Sequence, residues 1–175
     1  PERTWVANQL KAKVFLSLHF NASVSPTVRG FEVYALSLKK EDHQSLSAVA
    51  RENQLIPSQV MSEAGQTLAR MRAEVNLENS LKLAKPIVEA LKNVGPFHGK
   101  NVKAAPFYVL FGTRMPALLL ELGFIHSDED MLWMRSPENL RKSFGHLSAA
   151  IVSYLNGVPP PKIKSDVAIE FRKKQ

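Results

Sequence analysis

Pro116-Ala117-Leu118-Leu119-Leu120-Glu121-Leu122-Gly123 is an apolar run interrupted by a single carboxylate. Alanine and leucine favour a helix, but Pro116 and Gly123 box the run into fewer residues than a stable helix needs, so it reads as a central strand. An ionised carboxylate left unpartnered at the end of such a strand costs on the order of several kcal/mol. Glu121 therefore calls for a cation, a donor or a function. Upstream, Lys13-Val14-Phe15-Leu16-Ser17-Leu18-His19 has the same form, a short buried strand whose apolar part stops at a polar group, His19.

Two more strands are expected. In Val28 to Leu36, Phe31, Val33 and Ala35 alternate with Glu32 and Tyr34, which predicts a strand with Glu32 facing solvent. Phe107-Tyr108-Val109-Leu110-Phe111 follows a Gly- and Pro-rich loop over Asn93 to Lys100 and reads as a third strand in chain order. Arg3 to Leu10 suits a helix, and from Glu41 to about Asn93 the pattern is helical, with Leu77, Leu81, Ala84, Val88 and Leu91 on one face. Pro86 inside that run predicts a kink or a break, because proline lacks the amide proton and clashes with the preceding turn. Ser136 as N-cap, Pro137 at the first helical position, the stripe Leu140, Phe144, Leu147, Ile151 and Leu155, and Gly157 as the stop delimit a final helix. Strands alternating with helices predict an α/β layered domain, its central mixed or mostly parallel sheet flanked by helices. The expected domain spans 1–157, and 158–175, with Pro159-Pro160-Pro161 and a charged end, reads as a stiff linker and basic tail. In such sheets chemistry collects at the carboxyl ends of strands, where His19 and Glu121 both stand.

Composition narrows the function classes. One domain suits 175 residues with 45% hydrophobic content. No run of 18 or more apolar residues predicts a membrane span, and the polar start Pro1-Glu2-Arg3-Thr4 has no signal-peptide core. The absence of cysteine excludes disulfides, thiolate zinc fingers and a cysteine nucleophile. A net charge of +7 favours a polyanionic surface, whether nucleic acid, anionic lipid or an acidic cell-wall polymer. The Lys and Arg residues are scattered and no aromatic platform accompanies them, which argues against nucleic acid.

Four segments together are distinctive: Ser17-Leu18-His19-Phe20-Asn21-Ala22, Arg29-Gly30-Phe31-Glu32-Val33-Tyr34, Phe107-Tyr108-Val109-Leu110, and Pro116 to Ile125. In order and spacing they resemble the zinc-dependent N-acetylmuramoyl-L-alanine amidases, from about Arg3 to Leu155. The resemblance implies a peptidoglycan hydrolase of the periplasm or extracellular cell envelope. In that family, zinc held by two histidines and a glutamate activates the water that cleaves the bond between N-acetylmuramic acid and L-alanine. It places a zinc ligand at His19 and the catalytic glutamate at Glu121, with peptidoglycan as substrate and an activator protein as a further partner. The family's first zinc histidine and its zinc glutamate lie upstream of the segment matching Pro1. The chain by itself is therefore expected to be inactive, and a wall-binding relative without catalysis stays open as an alternative. Ile125-His126-Ser127 departs from the Ser-Asn that usually follows the isoleucine.

In some relatives an inserted helix sends a glutamate onto the zinc, and the corresponding region here is roughly Asn53 to Glu78, with Glu63, Glu74 and Glu78 as its carboxylates. An ordinary surface helix is the competing reading. Without the motifs, His19 would read as a hydrogen-bonded core histidine and Glu121 as an ion-pair partner of Arg114 or Lys103. His43, His98, His126 and His146 read as surface residues, His126 being a weak site candidate by its proximity to Glu121. Asn21 is expected to stabilise the turn after His19 through side-chain to backbone bonds.

Overall fold

A computed structural model describes residues 2–23, 27–38, 46–54, 63–92, 94 and 102–159. In chain order these form helix α1 (Glu2–Gln9), strand β1 (Phe15–Asn21), β2 (Glu32–Leu36), α2 (Leu46–Gln54), α3 (Glu63–Lys92), β3 (Lys103–Ala105), a 3₁₀ turn (Tyr108–Leu110), β4 (Ala117–Phe124), α4 (Asp128–Met134) and α5 (Pro137–Asn156). The strands make one mixed sheet in the order β1-β4-β2-β3. β4 is parallel to β1 and antiparallel to β2, while β3 is parallel to β2. The α/β class with a mixed central sheet is the one expected.

All eight residues of β4 are buried, as an apolar strand between two neighbours and two covered faces must be. On one face Leu118, Leu120 and Leu122 join Val33 and Ala35 of β2 against Leu83, Ala84, Ile87, Val88 and Leu91 of α3 and Leu147 and Ala150 of α5. On the other, Ala117 and Leu119 join Tyr34, Leu36 and Ala105, covered by Ala48 and Val49 of α2 and by Phe107 and Leu110. Both faces of β2 are therefore buried, and Glu32, expected in solvent, is 6% exposed. Alternation in that strand marks two different interiors, not an inside and an outside.

Phe107 to Phe111 is not a strand. Pro106 has no amide to continue the ladder after Ala105. The chain turns instead, with Leu110 N–H donating to the Phe107 carbonyl at 3.0 Å and Phe111 N–H to that of Tyr108 at 3.0 Å. The three-residue repeat of this turn sends Phe107 and Leu110 into the same core, both 0% exposed. The strand on that edge is the shorter β3 just upstream, where sequence reading assigned none.

Pro86 does not break α3, which runs without interruption to Lys92. Leu83, Ala84, Ile87 and Val88, all buried around it, supply the packing that outweighs one lost backbone bond. Leu81 stands 41% exposed, off the face assigned to it, while Leu83 and Ile87 are the residues fully inside. α5 begins and ends as read: the Ser136 hydroxyl accepts from Asn139 N–H, Pro137 is at the first position, and Gly157 takes the left-handed conformation at φ 64°. Its buried face is turned from the stripe, with Phe144 and Leu155 partly exposed and His146, expected on the surface, only 5% exposed. Val158 and Pro159 are exposed, and the rest of the expected tail lies outside the described residues, as do His43 and His98.

Candidate functional site

β1 and β4 run parallel, so their carboxyl ends meet at one edge of the sheet, and in their register His19 lies directly opposite Glu121. On the other side of β4, Glu121 is opposite Glu32. Cross-strand partners project from the same face, so His19, Glu121 and Glu32 form one row across three strands. Two residues away on each strand, back on β1 and β4 and forward on the antiparallel β2, the same face carries Ser17, Leu119 and Tyr34, and the last two belong to the hydrophobic core. The site is the polar end of a face whose other end is apolar.

His19 is held at both ring nitrogens. Nε2 meets the Ser17 hydroxyl at 2.7 Å, and Nδ1 lies 2.9 Å from a carboxylate oxygen of Glu52 on α2. Because a carboxylate only accepts, its partner Nδ1 carries the proton in the neutral ring, which makes Nε2 the lone-pair nitrogen and Ser17 its donor. Glu52 comes to this place because Ala48, one turn earlier on α2, packs into the core with Val49 and fixes the face that the helix turns to the sheet. Neither Glu52 nor its contact was read from the sequence. The signal present, a carboxylate four residues after a buried alanine, does not say which strand it faces. Of the three glutamates considered for that region, Glu74 is exposed, Glu78 is exposed and pairs with Lys82 at 2.7 Å, and the side chain of Glu63 lies outside those described. The Lys82 ammonium lowers the Glu78 carboxyl from its ordinary value, and Glu78 raises Lys82 in turn.

Glu121 is 1% exposed. Lys103, considered as its partner, pairs with Glu32 at 2.9 Å, and Arg114 is exposed, donating its backbone amide to the Asn8 side chain. Glu32 also accepts from the Tyr34 hydroxyl at 2.7 Å and from Asn21 Nδ2 at 3.2 Å. Asn21 makes the expected side-chain to backbone bond, its Oδ1 accepting from Ala22 N–H at 2.8 Å, but β1 continues past His19 to Asn21 with no turn between them.

Just past this row the β1–β4 register shifts: His19 pairs with Glu121, but Asn21 pairs with Phe124, so β4 carries one extra residue. Gly123 sits in that bulge at φ 141°. A Cβ there would come within 3.2 Å of Asp130 Cβ and 3.3 Å of the Met134 sulfur. The close approach lets the buried Asp130 carboxylate accept from Phe124 N–H at 2.8 Å and Gly30 N–H at 2.9 Å, tying α4 to the bulge and to the turn before β2. His126, two residues beyond Phe124, accepts from Ser23 N–H through Nδ1 at 3.2 Å and sets its ring edge-on to Phe124. It joins the segments after β1 and β4 and does not stand in the row. An open groove of about 610 Å³ runs beside Ser17 on β1, between Phe15 to Leu18 and Glu2, Arg3 and Val6 of α1.

Among the described residues no three His, Asp or Glu are grouped to hold a metal ion. What the site offers a metal is one imidazole, its Nδ1 fixed by a carboxylate and its Nε2 bonded to a neutral, displaceable hydroxyl, as the donor and outer partner of a zinc histidine are arranged. Among the same residues no helix is long and apolar enough to cross a membrane.

Residues 1–153 match the protein family described as N-acetylmuramoyl-L-alanine amidase. Over 156 residues the chain is 26% identical to the N-acetylmuramoyl-L-alanine amidase AmiC of Neisseria meningitidis, covering 83% of this chain and 36% of that protein. Over 162 residues it is 24% identical to AmiA of Escherichia coli, covering 89% of this chain and 56% of that one. The chain thus spans between about a third and just over half the length of these relatives. Its fold is shared with the CwlD amidase from Clostridioides difficile, solved in complex with the GerS lipoprotein, at a TM-score of 0.62 and 18% identity over 89% of this chain and 61% of that one. It is shared too with the catalytic domain of CwlV from Bacillus (Paenibacillus) polymyxa var. colistinus, at a TM-score of 0.57 and 21% identity, covering 89% of this chain and 64% of that one. With its match running from α1 to within four residues of the end of α5, the chain belongs to the N-acetylmuramoyl-L-alanine amidase family.

Proposed function

We propose that this chain provides the carboxyl-terminal part of a peptidoglycan amidase site, with His19 as one zinc ligand, Glu121 as the catalytic carboxylate, and two further ligands from residues outside 1–175. The observation that carries the reading is the pairing of His19 with Glu121 at the carboxyl end of adjacent parallel strands. Bound zinc would polarise the scissile carbonyl and acidify a water. His19 contributes Nε2, and Glu52 holds the ring in the tautomer that keeps this nitrogen free of a proton. Glu121 takes a proton from the attacking water and passes it to the leaving amine of L-alanine, which leaves the lactyl carboxylate on the sugar. Burial near the carboxyl end of β4 gives its carboxylate one position from which to do both. Such a substrate places the protein in the cell envelope, and an activator protein is a further partner in this reading.

The test is peptidoglycan hydrolysis by a longer polypeptide that supplies both missing ligands. It should carry about one zinc per chain, lose the metal in His19→Ala, and keep it in Glu121→Gln while release of stem peptides falls about 10²-fold or more. Residues 1–175 alone should release none. Equal zinc in wild type and His19→Ala, or normal turnover by Glu121→Gln, would remove the respective residue from the mechanism.

A further inference from the structure

Glu32 is the second carboxylate of the row, and folding alone does not account for it. Like charges directly opposite one another destabilise a sheet, yet Glu32 faces Glu121 in register, 6% and 1% exposed. The Lys103 ammonium offsets the charge, but a buried ion pair contributes little net stability compared with apolar residues of the same volume. The network is instead distinguished by where its bonds lead. Lys103 on β3 and Tyr34 on β2 hold the Glu32 carboxylate from two sides, and its free direction reaches across the sheet to Asn21, the last residue of β1. Asn21 in turn accepts from Ala22 N–H with its side chain and from Ile125 N–H with its carbonyl, at 2.8 and 2.9 Å. These bonds close the stretch where β1 meets the bulge of β4, two residues past His19 and one to three residues past Glu121.

We propose that Glu32 is a positioning residue of the site: anchored by Lys103 and Tyr34, its carboxylate grips Asn21 and pins the end of β1 to the bulged end of β4, so that His19 and Glu121 keep their relative placement. The grip is a property of this chain. Its catalytic consequence rests on the amidase reading.

The experiment separates grip from stability. Glu32→Met, Tyr34→Phe and Lys103→Met together replace the network by apolar groups of similar size, so that of its partners only Asn21 stays polar and loses its bond to it. A companion variant, Glu32→Gln with Lys103→Met, keeps an oxygen for Asn21 without the charges. In the triple variant the denaturant midpoint should stay close to wild type, while the Ala22 and Ile125 amides exchange with solvent about tenfold faster relative to those of Leu119 and Leu120. The companion variant should restore most of that protection. In a longer, zinc-loaded form the same ordering should appear as kcat lower by about tenfold or more with KM nearly constant. If the triple variant does not fold, Asn21→Ala cuts the same bond from the other side, with the same exchange readout at Ile125. Wild-type exchange at these amides in a folded variant would overturn the proposal. Changed exchange with no turnover by the wild-type longer form would instead count against the amidase reading and leave the grip standing.

Discussion

At the scale of single residues, the site depends on which atoms of His19 are already committed. Glu52 occupies Nδ1 and the Ser17 hydroxyl occupies Nε2, and the two differ in what they yield to a metal: a hydroxyl moves aside, whereas a carboxylate holding a ring proton sets the ligand's orientation. Removing the outer partner of a zinc histidine costs about 10- to 100-fold in metal affinity or activity. Glu52→Gln in a zinc-binding longer form should therefore weaken zinc by at least about tenfold while leaving the fold intact, as read by competition with a chelator. Unchanged affinity with raised hydrolysis would show instead that the carboxylate covers the site. That His19 and Glu121 stand near the carboxyl ends of their strands was legible from the sequence because each interrupts an apolar run, a pattern that needs only neighbours along the chain. Glu52 and Glu32 were not, because what commits them is a partner 33 positions away for the one and 71 for the other.

At the scale of elements, the bulge in β4 connects the sheet to the helices behind it. Gly123 is required there twice over, by a φ of 141° that side chains with a Cβ rarely adopt and by the approach of Asp130 and Met134. Gly123→Ala should destabilise the chain by about 1–3 kcal/mol, since neither the backbone nor the buried Asp130 can give way without losing bonds to Phe124 and Gly30. Denaturant unfolding measures it, and a change below about 0.5 kcal/mol would mean that the bulge relaxes freely. The ends of α5 were readable because Ser136, Pro137 and Gly157 act on their own backbone, with the cap contributing about 1 kcal/mol. The turn at Tyr108–Leu110 was misread because five residues rich in aromatic and branched side chains fit a strand equally well. Only the end of β3 at Ala105, before Pro106, sends them into a turn.

At the scale of the whole molecule, α3 and α5 pack on the sheet around a buried histidine. Burial lowers the pKa of His146 from its ordinary 6.5, the nearby Lys142 cation lowers it further, and a hydrogen bond to the backbone of Ala90 opposes both. The unfolded chain thus binds a proton at this group at higher pH than the folded one does. Its contribution to stability is complete above about pH 6.5 and declines as pH falls through that value toward the folded pKa. Unfolding free energies measured between pH 8 and 5 should show this decline, and His146→Gln should flatten it; an equal slope in the variant would assign it to other groups. Local order was set by the sequence itself: the buried central strand, the capped final helix, the α/β alternation, and the two polar residues near the carboxyl ends of β1 and β4. Propensity, capping and the burial of apolar runs act over a few residues and need no knowledge of the rest of the chain. Tertiary structure alone decided that β2 has two interiors, that Glu32 belongs to the row beside Glu121, and that α2 brings Glu52 to His19. Those outcomes depend on which strand lies next to which, and so on a packing of distant segments that no local pattern encodes.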